Sequence, residues 1–277
     1  MEEIIKKAGV LIEALPYLRE FSGKTFVIKY GGKAMIDEAL KDSVVQDIVL
    51  MKYIGINPVV VHGGGPEITA AMERAGLKAK FVNGRRVTDK QTMKIVESVL
   101  AGKTNKEIVR MFNAHGGKAK GLSGKDGKLL LTKMLDSELG FVGEIEKVNT
   151  LELKKQREFI PVIAPIGIGR DGNTYNINAD DAAAALSVAV KAEKLILITD
   201  VSGVMHNKAL IPSISMKEAK QMIKDGVITG GMIPKVHSCM TAIEGGVKKA
   251  HIINGTVKHS LLLEIFTKTG IGTEIKK

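Results

Sequence analysis

A single cysteine, no tryptophan and seven prolines stand among the 277 residues. One thiol, Cys239, excludes an internal disulfide and suits a reducing compartment. Aromatic residues reach only 4%, and no stacking platform or basic helix stands out among the scattered lysines, which argues against a nucleic-acid partner. No apolar run reaches the roughly 18 residues of a membrane span. Met1-Glu2-Glu3 is acidic where an export signal is basic, and Glu13 interrupts the apolar stretch behind it. The expectation is a cytoplasmic protein with no membrane partner.

Several reaction signatures are also missing. Gly23-Lys24-Thr25 and Gly102-Lys103-Thr104 supply the end of a P-loop, but Leu18 and Glu97 occupy the place of its first glycine. Gly167-x-Gly169-x-x-Gly172 spells the dinucleotide fingerprint after a strand. Asn173-Thr174-Tyr175-Asn176 then follows, where that reading needs a helix. The six histidines show no metal-ligand spacing, and no Gly-x-Ser-x-Gly elbow occurs.

What is present is an ordinary globular composition, with 44% hydrophobic and 26% charged residues and a formal charge of +11. Such a charge favours anionic partners, phosphorylated small molecules among them. The expected fold class is α/β. Residues 1–22 read as a leader helix: Ile4, Ala8, Leu11, Leu15 and Leu18 step by four and three, and Pro16 should kink it. Its apolar stripe packs either on its own domain or on another subunit. Behind it strands and helices alternate. Thr25–Tyr30 is a strand followed by Gly31-Gly32 and a helix from about Asp37 to Ile54. Pro58–His62 is a second strand followed by Gly63-Gly64-Gly65 and a helix to about Ala75. Thr88–Leu100 and Thr104–Ala114 read as two helices, the second opened by a Thr104/Glu107 capping box. Residues 118–149 read as hairpins, and Phe159–Ile166, Lys194–Thr199 and Ala250–Ile253 as buried strands. Helices begin near Ala179, after Ser215 and near Pro234. This alternation predicts an open, mainly parallel sheet sandwiched between helix layers.

Two strand–glycine–helix junctions lie within 35 residues, one of them flanked by Lys29 and Lys33. Glycines there let backbone N–H groups approach an anion at a helix N-terminus, so phosphate chemistry is indicated. Lys29-Tyr30-Gly31-Gly32 and His62-Gly63-Gly64-Gly65 resemble the amino acid kinase family. Four further motifs follow in the order of its N-acetylglutamate kinase branch: Asn83-Gly84-Arg85-Arg86-Val87-Thr88, Asn176-Ile177-Asn178-Ala179-Asp180, Thr199-Asp200-Val201-Ser202-Gly203-Val204 and Gly231-Met232-Ile233-Pro234-Lys235. The resemblance covers essentially the whole chain. It implies an amino-acid-binding lobe over residues 23–191 and an ATP-binding lobe over 192–277. Its reaction is phosphorylation of the side-chain carboxylate of N-acetyl-L-glutamate, with ATP and Mg²⁺, in arginine biosynthesis.

By that resemblance Lys29 and Lys235 stabilise the transferring phosphoryl group, and Asp180 orients both. Capping of the helix that starts near Ala179 is an alternative reason for an aspartate at 180. Gly64, Gly65, Arg86 and Asn176 hold the acyl amino acid; only the motif selects Arg86 over Arg85. Gly31, Gly32, Thr199, Asp200, Gly203 and Met232 border the nucleotide, and no metal ligands are assigned on the protein. A carboxylate with a pKa of about 4.3 is already ionised at neutral pH, so such a reaction needs positive charge and in-line positioning, not a general base. Kinases of aspartate, glutamate, carbamate, uridine monophosphate or an aminoadipate derivative are the nearby alternatives. A non-catalytic sensor and a nicotinamide oxidoreductase are the distant ones.

The tail His259-Ser260-Leu261-Leu262-Leu263-Glu264-Ile265-Phe266-Thr267, with Gly270-Ile271-Gly272-Thr273, resembles the arginine-inhibited branch of that group, as does the leader helix with Tyr17. The resemblance implies a homo-hexamer, a trimer of dimers interlaced by leader helices, with arginine bound near Tyr17, His259, Glu264 and Gly272. An acidic Glu264 is what a guanidinium group wants.

Overall fold

Strand β1, Thr25–Tyr30, is buried along nearly its whole length, and its alternate residues serve opposite faces. Phe26, Ile28 and Tyr30 pack toward α2, Glu38–Tyr53, where Val44, Val45 and Ile48 meet them. Val27 points the other way, into a core shared with Ala182, Ala183 and Leu186 of the Ala179–Ala189 helix. Lys29 shares the Val27 face, so the two-residue period aims it toward that helix.

The computed structural model describes residues 1–155 and 157–277, and describes no side chain at residues 2–8, 10 and 11. One eight-stranded sheet organises the chain, in the order Ser213–Ser215, Thr273–Lys276, Lys249–Asn254, Lys194–Thr199, β1, β2 (Asn57–His62), Ile160–Ala164 and Ala119–Ser123. Only the pairing of Lys249–Asn254 with Thr273–Lys276 is antiparallel; the others are parallel. Helices cover both faces, as strands buried on two sides require. The α/β class and the mainly parallel sheet match the sequence expectation. A second sheet of four short strands, Thr174–Asn176, Ile166–Gly169, Leu130–Met134 and Gly143–Val148, flanks the first. The glycine triplet of residues 167–172 lies in the antiparallel hairpin between Ile166–Gly169 and Thr174–Asn176, so no dinucleotide turn forms there.

Some local expectations change. Ala119–Ser123 pairs in parallel with Ile160–Ala164, joining the main sheet instead of a hairpin. The two helices expected after residue 88 are one continuous run. Lys90–Glu97 passes through a π-helical stretch, Ser98–Thr104, into Asn105–Ala114. Thr104 therefore has helical backbone angles and caps nothing; Asp89 is the N-cap, accepting from the Thr92 N–H. Helix α1 runs unbroken over Glu2–Phe21 with Pro16 inside it. Of its predicted stripe, the side chains of Ile4, Ala8 and Leu11 lie outside the described residues, while Leu15 is exposed and Leu18 partly buried. The Ser215/Glu218 capping box is present in both directions.

Candidate active site

In a parallel sheet the strand ends that lie on one edge share a chain direction, and ligands gather beyond the carboxyl ends. Lys29, the Gly63–Gly65 turn after β2, and Thr199 with Asp200 all lie at that edge of adjacent strands. The second glycine turn opens α3, Gly65–Arg74. In the first glycine turn, Gly32 is held by its backbone and Gly31 by its neighbour. At Gly31 a Cβ would run into the Lys29 ammonium, and at Gly32, with φ of +73°, it would meet the Asp200 carboxylate. Asp200 in turn accepts the Lys33 backbone N–H. The turn after β1 is thus tied to the end of the neighbouring strand.

Asp180 lies in the first turn of the Ala179–Ala189 helix, but it does not cap it. Asn178 does, accepting from the N–H groups of Asp180 and Asp181. The Asp180 side chain faces two ammonium groups instead: Lys235 Nζ donates to Oδ2 at 2.8 Å, and Lys29 Nζ lies 3.2 Å from Oδ1. All three are largely buried. Burial alone would raise the Asp180 carboxyl, but Lys29 and Lys235 outweigh it and hold its pKa down at about 2. Burial, with repulsion from Lys235, lowers the Lys29 pKa despite the pull of Asp180. Two cations held around one anion leave a net positive charge, as a site for a phosphoryl group needs.

A cavity of about 150 Å³ reaches Ala179, the residue before Asp180, and is lined among others by Gly64, Gly65, Arg85, Arg86, Leu100 and Asn176. A Cβ on Gly64 would strike Leu100. Arg86 is buried, and its fork reaches the Gly65 carbonyl at 3.0 Å and Thr69 Oγ1 at 2.8 Å, with the Phe81 ring 4.7 Å from its guanidinium carbon. Among the described residues no carboxylate pairs with it. A buried guanidinium without a counter-anion is an anion receptor. Arg85 differs, being bound to Asp181 Oδ2 at 2.7 Å. Asn176 donates to Thr88 Oγ1 at 3.1 Å.

The nucleotide-side candidates are more dispersed. The Thr199 carbonyl accepts from Gly255, Gly203 packs against Thr273 with φ of +141°, and Met232 opens the Met232–Glu244 helix that carries Lys235. Sequence reasoning assigned nothing to Asn105, yet its Nδ2 reaches His62 Nε2 at 3.2 Å and the Val162 carbonyl at 2.9 Å. His62 donates from Nδ1 to the Gly63 carbonyl at 2.7 Å. These partners fix a neutral imidazole, and burial pushes its pKa down to about 4. Asn105 thereby anchors the glycine turn; a polar residue recurring on the apolar face of its helix was the available signal. Thr69 was missed too, though it lies one turn after Gly65.

The tail candidates sit elsewhere. Tyr17 packs on Phe21 and edge-on to Phe266, with centroids 6.3 Å apart for the latter pair. His259, with φ of +55°, hydrogen-bonds Asp47 through Nδ1 at 2.7 Å. Glu264 faces inward and is buried. Its Oε1 binds His251, and its Oε2 accepts the N–H groups of Ile271 and Gly272 at 2.7 and 2.9 Å.

The sequence pattern of the amino acid kinase family matches residues 24–254. This chain belongs to the amino acid kinase family. Acetylglutamate kinase of Caldanaerobacter subterraneus subsp. tengcongensis is 57% identical over 281 residues, 99% of this chain and 94% of that protein. Acetylglutamate kinase of Aquifex aeolicus is 55% identical over 295 residues, 99% of each chain. Among solved structures, N-acetylglutamate synthase from Neisseria gonorrhoeae, complexed with coenzyme A and N-acetyl-glutamate, superposes with a TM-score of 0.85 at 28% identity. That match covers 98% of this chain and spans 63% of the synthase chain. Membership of the family makes the chain a phosphotransferase with ATP as donor. Among the described residues no helix is long and apolar enough to cross a membrane.

Proposed function

We propose that this family member transfers the γ-phosphoryl group of ATP to the side-chain carboxylate of N-acetyl-L-glutamate, giving N-acetyl-L-glutamyl 5-phosphate in arginine biosynthesis. One observation carries the reading: Asp180 of the buried Lys29–Asp180–Lys235 trio directly follows Ala179, which lines a small cavity whose buried Arg86 has no carboxylate partner among the described residues. The chain's similarity to acetylglutamate kinases over nearly its whole length supports the choice of acid.

In this reading Arg86 grips the α-carboxylate of the acyl amino acid, with Asn176 at its acetamido group and the Gly64 and Gly65 backbone close by. The acceptor carboxylate is ionised before it arrives, so no residue has to take a proton from it. The obstacle is repulsion between two anions, which Lys29 and Lys235 offset from either side as charge builds on the transferring group. Asp180 keeps both ammonium groups charged and spaced while itself staying ionised. Gly31, Gly32, Thr199, Asp200, Gly203 and Met232 border the nucleotide, with residues 23–191 serving the amino acid and 192–277 the ATP. Mg²⁺ arrives as part of the nucleotide substrate. Asp180 is engaged by lysines, and among the described residues no group of three metal-ligating side chains is assembled.

The tail supports arginine as an inhibitor, in a homo-hexamer. Tyr17 joins the leader helix to the tail through Phe266, and Ile12 and Leu15 leave apolar surface on α1 for a second copy. A guanidinium at Glu264 has to displace or share the Ile271 and Gly272 N–H groups.

The test is ADP release from MgATP with N-acetylglutamate, beside glutamate, aspartate and aminoadipate, with and without arginine. Turnover with N-acetylglutamate, suppressed by arginine, is expected. Turnover with a different acid alone refutes the substrate, and no turnover with any acid favours a sensor. Deleting residues 1–22 should reduce particle size and blunt arginine inhibition; unchanged size and response refute the regulatory reading.

A further inference from the structure

Arg85 and Arg86 are adjacent in sequence and opposed in space, and so are Asp180 and Asp181. On the two-residue strand Arg85–Arg86, neighbouring side chains leave on opposite faces. Arg86 turns to Gly65 and Thr69, whereas Arg85 binds Asp181 Oδ2 at 2.7 Å. Successive residues on a helix diverge by about 100°. Asp180 accordingly meets the two lysines while Asp181 meets Arg85 and Ser238, whose hydroxyl lies 2.9 Å from Asp181 Oδ1. The same hydroxyl lies 3.0 Å from the carbonyl of Pro234, the residue before Lys235. A single O–H shared between two acceptors links Asp181 to the peptide that sets the position of Lys235.

We propose that Arg85, Asp181 and Ser238 form a positioning network that holds the Arg86 hairpin and the Lys235 helix in register with Asp180. The inference deepens the kinase reading above and rests on it. Every member is one residue or one helical turn from a group placed in the chemistry: Arg85 from Arg86, Asp181 from Asp180, Ser238 from Lys235. Three separate elements meet there, a hairpin and two helices that otherwise pack through apolar side chains. Arg85, Asp181 and Ser238 all line a second cavity of about 260 Å³, where their polar contacts to one another add to packing in setting their geometry. Arg85 also lines the Arg86 cavity, whereas Asp181 and Ser238 do not and act through placement, where an error of about 1 Å costs on the order of 100-fold in rate.

The experiment compares Arg85→Ala, Asp181→Asn, Ser238→Ala, the Arg85→Ala/Asp181→Asn double variant and Arg85→Lys. The readouts are kcat, KM for each substrate and the thermal midpoint. Arg85→Ala and Asp181→Asn are expected to raise KM for the acyl amino acid about tenfold and leave KM for ATP within about twofold. Ser238→Ala is expected to lower kcat about fivefold or more through Lys235. The double variant should be no worse than Asp181→Asn alone, because both substitutions break one link, and Arg85→Lys should recover part of the loss. Kinetics within about twofold of the parent with only a lowered midpoint, or additive losses in the double variant, would overturn the proposal. If the parent releases no ADP with N-acetylglutamate, the functional reading fails separately. Amide hydrogen exchange then decides the network: faster exchange in Asp181→Asn at both residues 81–86 and 232–238 supports it, and unchanged exchange at either overturns it.

Discussion

Replacing Asp180 with Asn removes the counter-charge shared by two buried ammonium groups and keeps the shape of the side chain. At an effective dielectric constant of about 20, a carboxylate 3.2 Å from Lys29 and 2.8 Å from Lys235 attracts them by about 5 and 6 kcal/mol. Lys29, whose pKa burial already lowers, then loses the carboxylate that favours its charged form, so its pKa falls further. Losing one positive charge at the transferring phosphoryl group is expected to cost about 100- to 1,000-fold in kcat. The assay is ADP release from pH 6 to 9, with circular dichroism to establish that the variant is folded. The parent should hold its activity across this range, while the variant loses what remains as pH rises. A variant within tenfold of the parent with a flat profile would refute the reasoning. Stability supplies a second readout. The Asp180 pKa is depressed, at about 2 against an ordinary 3.8. Its stabilisation is therefore fully present above about pH 4 and is lost as pH falls through about 2. The gap corresponds to about 2 kcal/mol, an acid-induced loss that Asp180→Asn should lack.

Arg86→Lys should raise KM for the acyl amino acid by about tenfold or more, because one ammonium cannot reproduce the fork; steady-state kinetics with varied acid checks this. Gly32→Ala should raise KM for ATP and lower stability by about 1–2 kcal/mol, since φ is positive there and the new methyl group meets Asp200. Calorimetry and ATP titration would show it, and a neutral outcome would mean that the turn relaxes freely. Asn105→Leu should cost about 1–3 kcal/mol in denaturant unfolding by leaving His62 Nε2 and the Val162 carbonyl without their shared donor.

The frame was legible because its signals are local. β1 was read to its end residues, and β2 to within one residue of its start, since continuous β-rich runs followed by glycines admit few other readings. The joined helix over residues 90–114 was not legible: Gly102 suggests a break, and a π-helical stretch depends on which side chains the tertiary core accepts. Residue chemistry alone could not divide Arg85 from Arg86 or Asp180 from Asp181; only the motifs did. That division follows from the direction of a short strand and the rotation of a helix, both set by packing. Asn178 carried a readable clue, since an Asn two residues before an Asp at a helix start is a good cap. The inward turn of Glu264 was hidden, because its partners His251, Ile271 and Gly272 lie 7 to 13 residues away along the chain.

The uninterrupted sheet has a mechanical consequence. The strand bearing Lys29 and the strand ending at Thr199 are bonded side by side over four residue pairs. Relative motion of the two strands has to strain these shared backbone hydrogen bonds. For the same reason a cut after residue 191 would yield two fragments with raw inner edges, each seeking the other, and they should regain activity only when mixed.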